Sequence, residues 1–321
     1  MPTKEPSVTV LVTARNSANT IRKCVDSILN LSYKNKRIYV TDAYSTDGTW
    51  EILKGYGKKI RAERIRGNIA RAHNYMINRC STEFVALTDS DCVVDKKWLN
   101  YLIEEFKDND IIATGGLIKT PGEVNKLQHL LGLELKNRFW SLPRHVWRLP
   151  TMSLCIRTEY AKKIPFDEKF DVAQETDWGY RISKIGKIIF VPQSVVFHYH
   201  RASWRTYFKQ QFRYAEFAFR LYFEKRNLPR LIDGITKFSM LLELLLIYVG
   251  VLSLLLSFVN PMFLFFSEIF FAFLFLDYIV NALELSRNLY DILLLIIIFA
   301  VRNIAWSIGI IVGIFKDLSG K

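Results

Sequence analysis

Asp89 and Asp91 stand one residue apart at the end of a short apolar run, 83–88. Two carboxylates so spaced at a strand end face one crevice when the second turns off the strand. Oxygen donors of that kind suit Mg²⁺ or Mn²⁺, which then bridges a diphosphate. The motif is common in surface turns, so its meaning rests on the signals around it. Further along come a second acidic cluster (Glu175, Asp177), two histidines (His198, His200) and a basic, aromatic stretch over 201–230.

The elements that must position these residues alternate. Residues 8–12 form an apolar β-type run, and 19–31 place Ile21, Val25, Ile28 and Leu29 on one helical face. A second strand covers 38–41, and a helix capped by Asp47 or Thr49 spans 47–53. A strand over 59–64, a helix over 69–80, a strand over 83–88 and a helix over 96–106 continue the pattern. This order predicts an α/β fold with a mostly parallel sheet and helices on both faces. Ligands of such sheets sit beyond the carboxyl ends of the strands. Three polar clusters fall there: Ala14-Arg15-Asn16, Asp42-Ala43-Tyr44-Ser45 and Asp89-Ser90-Asp91. No G-x-G-x-x-G or P-loop sequence is present, so phosphates are expected to meet a metal and arginines.

The chain has 321 residues with Lys+Arg 44 against Asp+Glu 31, a formal net charge of +13. Such a balance suits nucleic acid, anionic lipid or a polyanionic substrate, and charge alone does not choose. The C-terminal third does. Run 238–259 is broken only by Glu243; 262–280 contains Glu268 and Asp277; 292–315 contains Arg302 and Asn303, with a polar link over 281–291. Each run is near the roughly 20 residues that cross a bilayer as helix. Ionisable residues inside them must face other helices or the interface, and Glu243 with Arg302 is a candidate pair.

Ahead of these runs, Arg201, Arg205, Lys209 and Arg213 recur every fourth residue, on one helical stripe. Trp204, Tyr207, Phe208, Phe212, Phe217 and Phe219 lie between them, and Lys225, Arg226 and Arg230 follow. A basic, aromatic helix beside membrane spans is expected at the interface, drawn to anionic headgroups or a lipid phosphate, with no nucleic acid partner. The positive cluster marks this side as cytoplasmic. The expected organisation is therefore a domain over 1–200, an interfacial region over 201–235 and a membrane domain over 236–321. Cys24, Cys80, Cys92 and Cys155 show no pairing pattern and are expected to be reduced and buried. The polar stretch 1–7 does not read as a secretory signal.

Taken together, the segments resemble a family 2 glycosyltransferase with a GT-A, Rossmann-like nucleotide-sugar domain. The matching pieces are 8–16, 42–49, Ala70-Arg71-Ala72-His73-Asn74, Thr88-Asp89-Ser90-Asp91, 174–178 and Gln210-Gln211-Phe212-Arg213-Tyr214. The last looks like the Q-x-x-R-W motif of membrane-bound members, with tyrosine for tryptophan. The likeness runs over about 7–220. It implies that Ala14, Arg15 and Asp42 bind the nucleoside, with Asp42 accepting from the base or else capping a turn. This chain has Asp42-Ala43-Tyr44 where the family usually has Asp-Asp-Gly, so a second carboxylate is missing.

The resemblance further implies that Arg71 and Ser90 lie at the nucleotide, and that Asp89 and Asp91 hold Mn²⁺ or Mg²⁺. His198, or in its place His200, becomes a third ligand. The general base falls on Glu175, with Asp177 as second choice. Gln210, Arg213 and Tyr214 meet the acceptor and the diphosphate. Gly115 and Gly116 mark a close approach near the donor sugar or a plain turn, and 127–149, with Trp140, His145, Trp147 and Arg148, shapes the acceptor site.

The expected protein is thus a multi-pass enzyme of the cell membrane, with its catalytic domain in the cytoplasm. It moves a sugar, with inversion, from a UDP- or GDP-sugar to a polyprenyl-diphosphate saccharide. A polyprenyl-phosphate monosaccharide synthase is the alternative, a polysaccharide synthase a third. A non-catalytic nucleotide-binding membrane scaffold is the reading from another class.

Overall fold

The computed structural model describes residues 5–224 and 235–318, so Lys225, Arg226 and Arg230 lie outside the described residues, as does the Phe219 side chain. The chain forms two compact units. One is built from Met1–Val124 and Phe139–His200, the other from Asn125–Arg138 and Arg201–Lys321.

The first unit alternates strand and helix as the apolar spacing requires: β1 (Val8–Ala14), α1 (Ile21–Leu29), β2 (Lys36–Asp42), α2 (Thr49–Lys54), β3 (Arg61–Arg64), α3 (Ile69–Asn78) and β4 (Phe84–Asp89). After β4 come β5 (Cys92–Val94), α4 (Trp98–Glu104), β6 (Ile111–Lys119), α5 (Lys126–Trp140), β7 (His145–Val146), β8 (Leu154–Arg157), α6 (Thr158–Lys163), α7 (Gln174–Ser183) and β9 (Lys187–His198). Helix α5 straddles the division between the units.

The sheet order is β3-β2-β1-β4-β8-β6-β9-β5, with β7 on β9. Strands β1, β2, β3 and β4 are mutually parallel; β8 runs against β4 and β6, and β6 is parallel to β9. The short β5 and β7 oppose β9. The sheet is therefore mixed but mostly parallel.

Strand β1 is buried along nearly its whole length, as expected for a strand covered on both faces. Helix α1 buries Ile21, Cys24, Val25 and Ile28, the face its spacing marked. Helix α3 is capped by Asn68, whose side chain accepts from Arg71 N at 3.0 Å. Trp98 and Trp178 are the largest fully buried side chains, and each indole N–H has a partner: Ser153 Oγ at 3.0 Å and Ile164 O at 2.6 Å. Truncating either to alanine costs about 3–5 kcal/mol by loss of buried area and a residual cavity.

Gly115 and Gly116 do not form a turn; they lie inside β6. A Cβ on Gly116 would meet Ser194 O at 2.2 Å, and one on Gly115 would meet Ser153 O at 2.6 Å. The close approach is to the protein's own backbone.

The second unit holds α8 (Trp204–Glu224), α9 (Phe238–Leu256), α10 (Met262–Leu285) and α11 (Leu289–Leu318), with residues of α5 up to Arg138. The last three helices are long and apolar enough to cross a membrane. Helix α10 continues through part of the link expected over 281–291, because Asn281 Nδ2 donates to Asp277 O and Oδ2, both at 2.9 Å, one turn back. The break falls at Ser286–Asn288 instead, where Asn288 Oδ1 accepts from Asp291 N at 3.2 Å and opens α11.

Glu243 and Arg302 do pair. Arg302 also donates to Glu134 Oε1 at 3.0 Å, and Asn303 Nδ2 reaches Glu243 Oε2 at 2.5 Å and Tyr278 OH at 2.7 Å. Arg201, Arg205, Lys209 and Arg213 are all exposed, while Tyr207, Ala215 and Glu216 are buried. Helix α8 packs on α11, where Trp306 Nε1 donates to Gln211 Oε1 at 2.9 Å and Gly309 leaves room for Phe212 O.

Candidate active site

The strand order reverses at β1, with β2 and β3 on one side and β4 on the other. A crevice opens at such a switch point beyond the carboxyl ends of the strands. Ala14 ends β1, Asp42 ends β2 and Asp89 ends β4. A hydrogen-bond chain stitches the three ends together. Asn16 N donates to Ser45 Oγ at 2.8 Å, Thr46 N donates to Asn16 Oδ1 at 3.0 Å, and the Ser17 and Ser90 hydroxyls are 2.7 Å apart. Asn16 has φ +50° and Tyr44 φ +55°, left-handed conformations that turn the chain sharply after each strand.

Asp91 turns off β4 as the spacing required. Its backbone carbonyl accepts from Tyr199 N at 2.9 Å, and its Oδ2 lies 3.5 Å from His198 Nε2. That separation is beyond a good hydrogen bond. The register of β5 on β9, Cys92 opposite His198, is what brings them together. His198 is buried, and its Nδ1 has no hydrogen-bond partner among the described residues. The His200 ring stands edge-on to His198, centroids 4.5 Å apart. Two carboxylates and an imidazole match the preferences of Mn²⁺, and the carboxylates those of Mg²⁺. Among the described residues no three such side chains form a metal cluster by themselves. An ion here would take further ligands from phosphate or water, as Mg²⁺ normally does.

Asp42 is fully buried, and both its oxygens are engaged. It accepts from Ser45 N at 3.2 Å, from the Ser45 hydroxyl and from Arg64 Nε at 2.9 Å. Of the two roles expected for it, turn-capping is the one this geometry displays. Arg15 and Arg71 are exposed. Gly67, at φ +132°, leaves the space the Arg71 side chain fills, since a Cβ there would come within 2.6 Å of Arg71 Cδ. Asn74 is structural: it donates to Phe166 O at 2.9 Å and accepts from Phe166 N at 2.8 Å.

Glu175 and Asp177 lie in the first turn of α7, which starts after Ala173 at φ +62°. Their environments differ. Asp177 is 1% exposed and held by Arg181, with Nε and Nη2 each 2.8 Å from its Oδ2. Glu175 keeps some open surface, yet desolvation by burial pushes its pKa up, against its own backbone N–H and the charge of Arg148, which pull it down. Arg148 is fixed by a 2.9 Å bond to Thr176 Oγ1. It comes from the stretch the sequence singled out without assigning roles. The four cysteines are free and buried, and burial raises the Cys24 and Cys92 thiol pKa values further away from reactivity.

In the second unit, Gln210 and Tyr214 sit one turn apart on α8, Gln210 Nε2 donating to Tyr214 OH at 3.1 Å. Arg213 is exposed, its guanidinium 5.9 Å from the Phe217 ring centre.

Residues 9–164 match the family model described as Glycosyl transferase family 2. That stretch, just under half of the chain, is similar to family 2 glycosyltransferases. Relatives agree. Over 107 residues the chain is 33% identical to a poly-beta-1,6-N-acetyl-D-glucosamine synthase of Staphylococcus epidermidis, covering 32% of this chain and 26% of that protein. Over 105 residues it is 30% identical to glycosyltransferase GlyA of Streptococcus pneumoniae, covering 32% of this chain and 15% of that one. The chain thus spans about a quarter or less of these two relatives. Among solved structures, the mannosyltransferase PcManGT from Pyrobaculum calidifontis, in complex with GDP-Man and Mn²⁺, superposes with a TM-score of 0.56 at 17% identity, covering 100% of this chain and 89% of that one. That likeness establishes the fold, a GT-A sheet followed by C-terminal apolar helices.

Sequence reasoning passed over Arg64 and Arg66, at and just beyond the end of β3. Their signal was present: two more basic residues at a strand end beside the Asp42 turn.

Proposed function

We propose that the protein is a membrane-anchored, metal-dependent inverting glycosyltransferase that moves a sugar from a nucleotide sugar to a lipid-linked saccharide. The observation that carries this reading is the meeting of Asp91 and His198 at the switch-point crevice, one residue from Asp89. Asp89, Asp91 and His198 would hold Mn²⁺ or Mg²⁺ there. When bound, such an ion stabilises charge developing on the leaving diphosphate as a Lewis acid.

The chain's own residues do the rest. Ala14, Arg15 and Ser90 line the nucleotide, and Asp42 shapes the turn beside it. Arg71 offers the diphosphate a planar fork of donors. Glu175 takes the proton of the acceptor hydroxyl as it attacks the anomeric carbon from the face opposite the leaving group. A carboxyl whose pKa is raised by burial is a stronger base, better matched to work near neutral pH. Asp177, locked by Arg181, fixes the first turn of α7 and so the aim of Glu175.

Gln210, Arg213 and Tyr214 meet the acceptor, Tyr214 offering a face 43% exposed. The apolar helices and the basic face of α8 hold the enzyme at a membrane, with the catalytic domain in the cytoplasm where nucleotide sugars are made. A lipid-borne acceptor follows from that placement. A phosphate acceptor would need no base, so Glu175 favours a hydroxyl of a saccharide.

The test is transfer of labelled sugar by the purified, detergent-solubilised protein, with UDP- and GDP-sugars, Mn²⁺ and a lipid extract. Label entering the organic phase in a metal-dependent way is expected, and mild acid should release it as a diphosphate-linked saccharide. Label appearing only on a water-soluble acceptor would overturn the lipid reading.

A further inference from the structure

We propose that the base end of this nucleotide site takes guanine in preference to uracil, through the guanidinium of Arg66 seated on Tyr44. The inference rests on the nucleotide-sugar reading above and names the nucleotide. A diphosphate at Asp89 and Asp91 and a nucleoside at the ends of β1 and β2 direct the base toward the turn after β2 and the end of β3, where Tyr44, Arg64 and Arg66 lie.

At that end the carboxylates already have partners. Asp42 is buried beneath Ser45 and Arg64. Glu63 accepts from Tyr39 OH and Tyr75 OH, both at 2.8 Å, and from Arg61 Nε at 2.7 Å. Asp47 accepts from Ala18 N at 2.9 Å and from Thr49 Oγ1 at 2.6 Å. Ala43 stands where a second carboxylate would follow Asp42. Uracil presents an N–H between two carbonyls, and that N–H calls for an acceptor. Guanine's N1–H and N2–H groups make the same demand, so the choice between the two bases falls on their acceptors.

What this end offers is donors. Tyr44 is held at φ +55°, a conformation costly for a residue with a large side chain, and it is 46% exposed. Strain of that kind persists only where the surroundings impose it, and here the Asp42–Ser45 turn does so. The guanidinium of Arg64 lies 4.9 Å from the Tyr44 ring centre and that of Arg66 5.1 Å. Arg64 is committed, by Nε to Asp42 and by Nη2 to Ser45 O at 3.0 Å. Arg66 is exposed and makes no hydrogen bond or ion pair among the described residues. A guanidinium stacked on an aromatic ring is oriented by the stack and keeps its edge N–H groups for a ligand. That fork matches the adjacent O6 and N7 acceptors of guanine. Uracil has no two adjacent acceptors.

The experiment is calorimetric titration of the full chain in detergent, in Mn²⁺, with GDP and with UDP. GDP is expected to bind about tenfold or more tighter than UDP, the low end of the discrimination one bidentate pair provides. Arg66→Lys keeps the charge and removes the fork. It should weaken GDP about tenfold, by that same bidentate contact, and leave UDP unchanged. Tyr44→Ala, which removes the platform, should weaken GDP in the same direction. UDP binding as tightly as GDP would overturn the proposal. So would an equal loss for both nucleotides in Arg66→Lys, because Arg66 would then act only as a charge near phosphate. If the folded protein bound neither nucleotide, the nucleotide-sugar reading itself would fall, and the inference with it.

Discussion

Two regions of this molecule gather acids and bases, and they treat them in opposite ways. In the apolar unit, Arg302 is met by Glu243, Glu134 and Asn303, and Glu243 is met again by Asn303. Donors and acceptors there saturate one another, which is what a charge in an apolar bundle needs. In the first unit, Asp91 stands 3.5 Å from His198, whose Nδ1 has no hydrogen-bond partner among the described residues, Arg66 stacks on Tyr44 with no hydrogen bond among the described residues, and Glu175 is desolvated against the pull of the Arg148 charge. The first arrangement is fitted to hold helices together. The second keeps interaction capacity for something that is not part of the chain.

That contrast predicts which changes alter rate and which alter stability. The largest effect is expected at Asp91. Asp91→Asn should lower transfer about 10³-fold, since several kcal/mol of charge stabilisation are withdrawn, while the melting temperature stays near wild type. Glu175→Gln should lower turnover by about 10²-fold, the low end of the usual range for a general base, without weakening nucleotide binding. Equal loss of stability in either variant would erase the distinction between the regions.

On the other side, Arg302→Met leaves Glu243 buried without its cation, while Glu134 keeps Arg138. It should cost about 3–5 kcal/mol of stability in a denaturation assay. The swap Glu243→Arg with Arg302→Glu would set a carboxylate against Glu134, so it should recover only part of that loss. Full recovery would show that Glu134 contributes nothing.

His73 sharpens the comparison from within the first unit. It is fully buried against Phe166, neither ring nitrogen has a hydrogen-bond partner among the described residues, and desolvation lowers its pKa to about 3. A depressed histidine pKa means the unfolded chain binds the proton more tightly, so stability is lost as pH falls below the unfolded value. Relative to His73→Leu, the wild type should lose about 2 kcal/mol between pH 6.5 and 5. The smallest effect concerns Glu175 again. Its raised pKa means the folded state binds a proton more tightly than the unfolded one, so its contribution to stability declines as pH rises through the folded value. Glu175→Gln should therefore be at least as stable as wild type at neutral pH, and the acid limb of the wild-type rate profile should lie above the ordinary glutamate range.

Much of this was legible in the residues. Short apolar runs and period-3.6 apolar spacing located β1, α1, β2, α3 and β4, because burial against a two-sided sheet leaves few other patterns. The three apolar runs were equally plain, since length and composition alone define them. The Asp91–His198 approach needed the register of β5 on β9, which no local pattern encodes. The same holds for Gly115 and Gly116: a glycine pair reads as a turn or as a close approach to a donor sugar until Ser153 and Ser194 are seen against it. Asp42 illustrates a different limit. Its type suited both a ligand contact and a cap, and only the positions of Ser45 and Arg64 show which donors fill it.

The most direct test of the central claim is metal dependence of transfer. The protein, stripped with EDTA, would be assayed with a labelled nucleotide sugar before and after Mn²⁺ is restored, beside Asp91→Asn. The account predicts that transfer disappears on stripping, returns with Mn²⁺ in the wild type and does not return in the variant. Full turnover in EDTA, or an Asp91→Asn enzyme as active as wild type, would contradict it.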